Sequence, residues 1–178
     1  MSLFETMQHR RGRVLFVSPA NACRGQMAEA FARTLGEDVM VAFSAGVWPA
    51  NSVSSAASVV MAEGATPLFA DQTPKRLTDF DLSSFDVIVN LSACKLTLDP
   101  RLLLLEPCVP APIAGDLDTH RDVRDRVEKF VRFLAEHFRR AREWRAGVAV
   151  TSEDGRQTMP SPPPATAPRP DASMQAAF

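Results

Sequence analysis

The sequence lacks the features that mark several large classes of protein. None of its 178 residues belongs to an apolar run long enough to span a membrane. The segment from Met1 to Arg13 is polar and basic, and it lacks the apolar stretch of a signal peptide. We therefore expect a cytoplasmic protein with no membrane partner.

An excess of charge of one sign is also absent. The chain has 20 lysines and arginines against 21 aspartates and glutamates, and its formal net charge is −1. Proteins that bind nucleic acid through its phosphates usually carry a basic patch or a surplus of positive charge. The charge balance therefore argues against a nucleic-acid partner.

Cysteine and histidine are scarce. The cysteines are Cys23, Cys94 and Cys108, and the histidines are His9, His120 and His137. The irregular spacing of the cysteines predicts reduced thiols rather than a disulfide framework. The histidines do not have the spacing of metal ligands, so we expect neither a metal nor another cofactor.

The sequence does contain an alternation of strand-like and helix-like segments. Short apolar runs predict strands at Val14–Val17, Val39–Phe43, Val87–Leu91 and Leu102–Leu105. Apolar residues at helical spacing predict helices at Met27–Leu35, Val53–Met61 and about His120–Arg145, with Gly36 and Gly64 ending the first two. This alternation predicts an α/β fold, a doubly wound four-stranded parallel sheet with helices on both faces.

The two ends of the chain differ in composition from the predicted domain. We assign residues 1–12 to an N-terminal extension, 13–146 to the single α/β domain and 147–178 to a tail rich in proline and alanine. Residues 151–178 show no apolar periodicity, and we expect them to be disordered. Such a tail is either an inert extension or a ligand for a proline-binding module.

The segment Ser18-Pro19-Ala20-Asn21-Ala22-Cys23-Arg24-Gly25 follows the first predicted strand and precedes the first predicted helix. In an open parallel sheet, ligands bind at the carboxyl ends of the strands, and a loop that enters a helix offers backbone N–H groups to an anion. This segment is therefore the first candidate for a binding site.

The residues around this loop resemble a known family. Val14 to Phe31 is similar to the strand, phosphate loop and first helix of the low-molecular-weight tyrosine phosphatase and arsenate reductase family. Phe43-Ser44-Ala45-Gly46-Val47 resembles the family's Ser-Ala-Gly strand end, and the similarity continues through Lys75-Arg76-Leu77 and Phe85–Val89. Together these matches cover roughly residues 13 to 145 in the order of the family.

The resemblance implies a nucleophile position that this chain fills differently. In the family, a cysteine six positions before the loop arginine attacks phosphorus as a thiolate. Ser18 occupies that position here, whereas Cys23 matches a second cysteine of the family. A serine hydroxyl stays protonated at neutral pH and needs an adjacent base, and no histidine is near Ser18 in the sequence.

The resemblance also implies a general acid, an aspartate followed by proline that protonates the leaving oxygen. Val109-Pro110-Ala111-Pro112 resembles the loop that carries it, with Ala111 at the position of the aspartate. Asp116 and Asp118 are close in the sequence, either as substitutes for the acid or as caps of the following helix.

The phosphate loop keeps part of its binding groups. Arg24 retains a planar fork suited to two phosphate oxygens, and Asn21 tolerates a left-handed backbone. Pro19 has no N–H to offer an anion, and Gly25 replaces a hydroxyl that in the family helps to hold the thiolate. The predicted anion-binding residues are Ser18, Asn21, Ala22, Cys23, Arg24 and Gly25.

Arsenate reductases of this family also use two closely spaced resolving cysteines. Cys94 falls near that region, but Cys108 is fourteen residues later and does not match the closer pair. Without a thiol at position 18 the relay has no starting point, so we interpret these two cysteines as small buried apolar residues or idle thiols.

Three functions remain open from the sequence. The first is a pseudophosphatase that binds a phosphate-like oxyanion or a phosphorylated protein through Arg24 without turnover. The second is a low-activity phosphatase or arsenate-reductase-like enzyme, since a hydroxyl still occupies position 18. The third is an interaction protein with a vestigial pocket, whose protein partner the sequence does not identify.

Overall fold

The computed structural model describes residues 11–150, with side chains through Trp144. Four parallel strands form a single sheet in the order β2-β1-β3-β4. The strands are β1 (Gly12–Ser18), β2 (Met40–Gly46), β3 (Val87–Asn90) and β4 (Leu103–Leu105). The predicted α/β fold with a four-stranded parallel sheet is confirmed.

Three α-helices accompany the sheet. They are α1 (Arg24–Leu35), α2 (Ser55–Ala62) and α3 (Leu117–Val150), and two short 3-10 helices lie at Leu77–Asp79 and Leu82–Ser84. Gly36 caps α1, as its position after the last apolar residue predicts. Within residues 11–150, no helix has both the length and the apolar character needed to cross a membrane.

Strand β1 lies between β2 and β3, and it is buried on both faces because an apolar cluster packs against each face. On one face, Val14 and Phe16 share a core with buried apolar residues of all three α-helices. On the other face, Leu15 and Val17 share a smaller core with residues that include Leu77 and Leu82 of the 3-10 helices. Helices therefore cover both faces, but those on the second face are single 3-10 turns.

The last helix is longer than the sequence predicts at both ends. Asp116 begins it, because its Oδ1 accepts a hydrogen bond of 2.9 Å from the backbone N–H of Asp118. It ends at Val150 and so includes residues 147–150, which the sequence assigns to the tail. Adding residues to an existing helix costs less than nucleating one, and alanine favours continuation. The predicted disorder of 151–178 and most of the predicted extension, 1–10, lie outside the described residues.

Candidate anion-binding site

The candidate loop connects the central strand to the first helix. β1 ends at Ser18 and α1 begins at Arg24, so residues 19–23 form the connection at the carboxyl edge of the sheet. Ser18 is paired in register with Gly46, the last residue of β2. The end of β2 therefore lies beside the start of the loop and supports it from one side.

The segment from residue 47 to residue 54 fixes the outer side of the loop through backbone hydrogen bonds. Four loop carbonyl oxygens accept them: Ser18 from Val47 at 3.2 Å, Pro19 from Trp48, Ala20 from Ala50 and Ala22 from Ser54, the last three at 2.8 Å. These hydrogen bonds satisfy the four carbonyl groups on the outer side of the loop. An anion bound inside the loop therefore does not face carbonyl oxygens that would repel it.

The N–H groups of the loop have no such partners. In the described part of the chain, none of the backbone amides of residues 20–26 donates a hydrogen bond to the protein. Successive unpaired amides before a helix, together with the positive end of the helix dipole, form a binding site for an anion. The loop offers these donors even though Pro19 supplies none.

Asn21 gives the loop its sharp turn. Its φ of 48° lies in the left-handed region that the sequence led us to expect. Its Oδ1 accepts hydrogen bonds from Gln26 Nε2 at 3.0 Å and from the backbone N–H of Lys75 at 2.9 Å. Gln72 in turn donates from Nε2 to the carbonyl oxygen of Gln26 at 2.9 Å. Residues of α1 and of the segment 72–75 therefore hold Asn21 from two sides.

Gly46 allows the strand end to approach the loop closely. A β-carbon at this position would stand 3.0 Å from Asn21 Cβ and 3.1 Å from both Ala20 C and Asn21 N. Two of these atoms belong to the backbone, which cannot rotate away. This contact gives a physical reason for the glycine of the Ser-Ala-Gly strand end.

Arg24 is buried and has no acidic partner. Its side chain donates from Nη1 to the carbonyl oxygen of Val109 at 2.9 Å, and the residue is only 8% exposed. Burial lowers the pKa of the Arg24 guanidinium, and negative charge on Cys23 or Cys94 would raise it. Among the described residues, no carboxylate lies within ion-pair distance of it. A buried cation without a counter-charge is unfavourable, so the site favours an anionic ligand.

Ser18 and Gly25 form the inner wall of the site. Ser18 is 2% exposed, and neither its Oγ nor Nδ2 of Asn21 has a hydrogen-bond partner among the described groups. A β-carbon on Gly25 would stand 2.8 Å from each of these two atoms. The hydroxyl of Ser18 therefore faces the first turn of α1, with two unsatisfied polar groups beside the unpaired amides.

The three cysteines have different surroundings. Cys23 is half-buried against the core, and burial raises the pKa of its thiol to about 11, although the charge of Arg24 lowers it. Cys94 is half-buried and Cys108 is exposed, so of the two interpretations of Cys108, a buried apolar residue or an idle thiol, only the idle thiol fits. At neutral pH, Cys23 is therefore a thiol rather than a thiolate.

The candidate acid positions carry no available carboxylate. Ala111 is exposed and lies two residues after Val109, whose carbonyl contacts Arg24. Asp116 caps α3, and Asp118 pairs with Arg121 Nη1 at 2.7 Å. Both aspartates thus have the structural roles that are usual for acids before or within the first turn of a helix.

Several residues that support the loop were not identified from the sequence. Ser44 donates from Oγ to Glu29 Oε2 at 2.6 Å, and Lys75 Nζ lies 3.3 Å from the same oxygen. Gln26 and Gln72 are fully or nearly buried amides. Ser44 and Lys75 lie in segments that resemble the family, and Glu29 lies on a predicted helix, but these patterns do not indicate the contacts. Nothing in the sequence distinguishes Gln72. In the described part of the chain, no group of three or more acidic, histidine or cysteine side chains forms a metal site.

Comparisons with known proteins identify the family. The model of the low molecular weight phosphotyrosine protein phosphatase family matches residues 13–103. The glutaredoxin arsenate reductase of Synechocystis sp. is 31% identical over 126 residues, which are 68% of this chain and 95% of that protein. A putative arsenate reductase of Halobacterium salinarum is 29% identical over 129 residues, which are 69% of this chain and 90% of that protein.

Solved structures agree with the sequence comparisons. An arsenate reductase in the phosphate binding state has a TM-score of 0.65 and 29% identity, over 71% of this chain and 98% of that one. The arsenate reductase from Archaeoglobus fulgidus has a TM-score of 0.61 and 28% identity, over 69% and 98% of the two chains. The chain therefore belongs to the low molecular weight phosphotyrosine protein phosphatase family, whose fold it shares with these arsenate reductases.

Proposed function

We propose that this protein binds a phosphate-like oxyanion, free or on a phosphorylated partner, in the loop from Ser18 to Gly25, and that it does not turn the ligand over. The observation that carries the proposal is the buried guanidinium of Arg24, which has no carboxylate partner among the described residues, beside the unpaired amides of residues 20–26. A dianion would supply the missing negative charge and accept hydrogen bonds from these donors.

The lack of turnover is inferred from three positions. Ser18 holds a hydroxyl with no neighbouring base, because its Oγ has no acceptor among the described groups. Ala111 has no carboxylate to protonate a leaving oxygen. Cys23 does not replace the missing nucleophile, since burial raises its pKa to about 11. Binding needs the amides and Arg24, whereas turnover needs the groups that are absent.

Thermal unfolding in the presence of anions tests the binding. Purified full-length protein is titrated with phosphate, arsenate, vanadate and phosphotyrosine, alongside the variants Arg24→Ala and Arg101→Ala. Arg101 is a surface arginine paired with Asp99 at 3.0 Å, so its removal controls for a general loss of positive charge. A ligand at about a hundred times its Kd stabilises the folded state by about 2.7 kcal/mol.

The expected result is stabilisation of the wild type and of Arg101→Ala, and none of Arg24→Ala. Equal stabilisation of all three proteins would place the anion elsewhere and contradict the proposal. No stabilisation of any protein would also contradict it, and would favour an interaction protein whose pocket is vestigial.

An arsenate-reductase-like activity is the second candidate. It is favoured by the names of the relatives and by two thiols, Cys23 and Cys94, each of which would raise the pKa of the Arg24 guanidinium if it were ionised. In such a reaction, two thiols become one disulfide, arsenate becomes arsenite, and one arsenate oxygen leaves as water.

Arsenite production separates the two candidates. The protein is incubated with arsenate and glutathione plus glutaredoxin, or with thioredoxin, and arsenite is measured. Catalytic arsenite formation that is lost in Cys94→Ser and kept in Cys108→Ser would support the reductase and contradict the non-catalytic proposal. Binding of arsenate without arsenite formation would support the non-catalytic proposal.

A further inference from the structure

The acceptor oxygens of the loop backbone are all occupied. Each carbonyl oxygen of residues 18–23 accepts a hydrogen bond from the protein, and four of these bonds come from the outer segment described above. The other two come from α1: Gln26 Nε2 donates to Asn21 O at 2.8 Å, and the backbone N–H of Met27 donates to Cys23 O at 2.9 Å. The loop backbone therefore has no acceptor left for a ligand.

The groups of the loop that remain free are donors. They are the amides of residues 20–26, the buried Nδ2 of Asn21 and the guanidinium of Arg24. None of these three kinds of group can accept a hydrogen bond. The hydroxyl of Ser18 is 2% exposed and has no partner among the described groups, and it can either donate or accept.

No carboxylate of the described chain adds an acceptor to the site. None lies within ion-pair distance of Arg24, and position 111 carries the methyl group of an alanine. The buried acid of α1, Glu29, is occupied, because it accepts a hydrogen bond from Ser44 Oγ at 2.6 Å and pairs with Lys75 Nζ at 3.3 Å. The site thus combines many donors with one hydroxyl as its only flexible group.

We propose that this loop selects tetrahedral oxyanions that carry no acidic proton, which are sulfate and the dianionic monoesters of phosphate, over inorganic hydrogen phosphate and hydrogen arsenate. The inference rests on the proposed function, because it concerns the ligand of the same loop. It assigns a chemical class to that ligand, and it makes Ala111 a position that determines specificity.

A proton on the anion turns one of its oxygens into a donor. Inside the loop this P–OH group faces amides, Nδ2 of Asn21 or the guanidinium, so a donor meets a donor. If Ser18 Oγ accepts from the P–OH group instead, the hydrogen of Ser18 loses the anion oxygen to which it would donate. A buried donor without an acceptor weakens binding by about tenfold or more. A buried polar group that cannot pair is also the usual basis of strong discrimination between similar ligands.

Competition between matched anions tests the preference. At about pH 8, sulfate, methyl phosphate and inorganic phosphate are all mainly dianions, and only inorganic phosphate keeps a proton. The full-length wild type and Arg24→Ala are titrated with each anion at equal ionic strength, and the Kd is measured by calorimetry. We expect sulfate and methyl phosphate to bind the wild type at least about tenfold more tightly than inorganic phosphate. We expect Arg24→Ala to bind none of them measurably.

A variant that supplies an acceptor tests the cause. Ala111 lies two residues after Val109, whose carbonyl oxygen contacts Arg24, so Ala111→Asp brings a carboxylate to this loop. The carboxylate accepts from P–OH and repels sulfate, and we expect the preference for sulfate over inorganic phosphate to fall at least about tenfold. Ala65→Asp is the matched control, because it adds the same charge at an exposed position beyond the far end of α2 and should keep the wild-type ratio.

The outcomes separate this inference from the proposed function. If the wild type binds inorganic phosphate as tightly as sulfate and Arg24→Ala binds neither, the anion site stands and the preference is overturned. If methyl phosphate binds no better than inorganic phosphate, or Ala111→Asp keeps the wild-type ratio, the missing acceptor is not the cause and the inference is also overturned. If no anion binds the wild type, or all bind Arg24→Ala equally well, both proposals fail. The wild-type comparison alone decides the preference if a variant does not fold.

Discussion

The Nη1 atom of Arg24 donates a hydrogen bond of 2.9 Å to the carbonyl oxygen of Val109, which joins two loops that are 85 residues apart in the sequence. The first loop carries the unpaired amides, and the second carries Ala111, which the resemblance to the family places opposite the general acid. This bond holds the second loop beside Arg24 and orients the buried guanidinium. One residue thus supplies both the charge for the anion and the link to the neighbouring loop.

Loss of this link should loosen the second loop. In Arg24→Ala, we expect faster amide hydrogen exchange in residues 109–113, because the carbonyl of Val109 loses its buried donor. Arg101→Ala should leave this exchange unchanged, since Arg101 pairs with Asp99 on the surface. Equal exchange in Arg24→Ala and the wild type would mean that other contacts fix the loop.

Asn21 should contribute strongly to stability. Asn21→Ala removes the acceptor of two hydrogen bonds, and it places a residue other than glycine or asparagine at a φ of 48°. We expect the free energy of unfolding to fall by about 2–4 kcal/mol, measured by urea denaturation. Asn21→Gly should lose less, because glycine adopts the left-handed backbone without strain. A larger loss in the glycine variant would show that backbone strain is not part of the effect.

Gly46 should be intolerant of a side chain. Gly46→Ala places a β-carbon about 3 Å from backbone atoms of the loop, so we expect destabilisation of about 1–3 kcal/mol and weaker phosphate binding. Gly64→Ala is the matched control, because its β-carbon would meet only Met61 O, at 3.7 Å. The measurements are urea denaturation and thermal stabilisation by phosphate. Unchanged phosphate binding in Gly46→Ala would mean that the loop adapts.

Cys23 should react slowly with alkylating reagents at ordinary pH. With a pKa of about 11, its thiolate is rare at pH 8, about one molecule in a thousand. We expect iodoacetamide to modify exposed Cys108 first, and the rate at Cys23 to rise about tenfold per pH unit up to about pH 11. Arg24→Ala should slow Cys23 further, because the charge of Arg24 lowers its pKa. Peptide mapping after timed quenching gives both rates.

The proposed lack of turnover can be tested by placing at Ser18 and Ala111 the cysteine and aspartate that the family resemblance implies. We expect Ser18→Cys combined with Ala111→Asp to release phenol from phenyl phosphate at least about a hundredfold faster than either single variant, since phenolate is a poor leaving group and a general acid contributes about 10²–10⁴-fold. Appreciable turnover by Ser18→Cys alone would instead indicate that the rest of the machinery is intact, and would favour the enzyme alternative.

Local sequence patterns were sufficient to predict the fold. The run from Val14 to Val17 is apolar on successive residues because β1 is covered on both faces, and Gly36 ends α1 because the chain must turn there. The phosphate loop was found by its place between these two elements. The left-handed backbone at Asn21 was also expected, because few residues adopt it without strain.

The sequence by itself determined the fold class and the place of the loop, because each depends on neighbours along the chain. Only the tertiary structure decided which distant groups meet there: Val109 with Arg24, Lys75 with Asn21, and Ser44 with Glu29. It also decided that Asp116 and Asp118 are occupied by helix capping and an ion pair. Long-range contacts depend on how the sheet brings strand ends together, and no local pattern encodes the partner of a buried polar group.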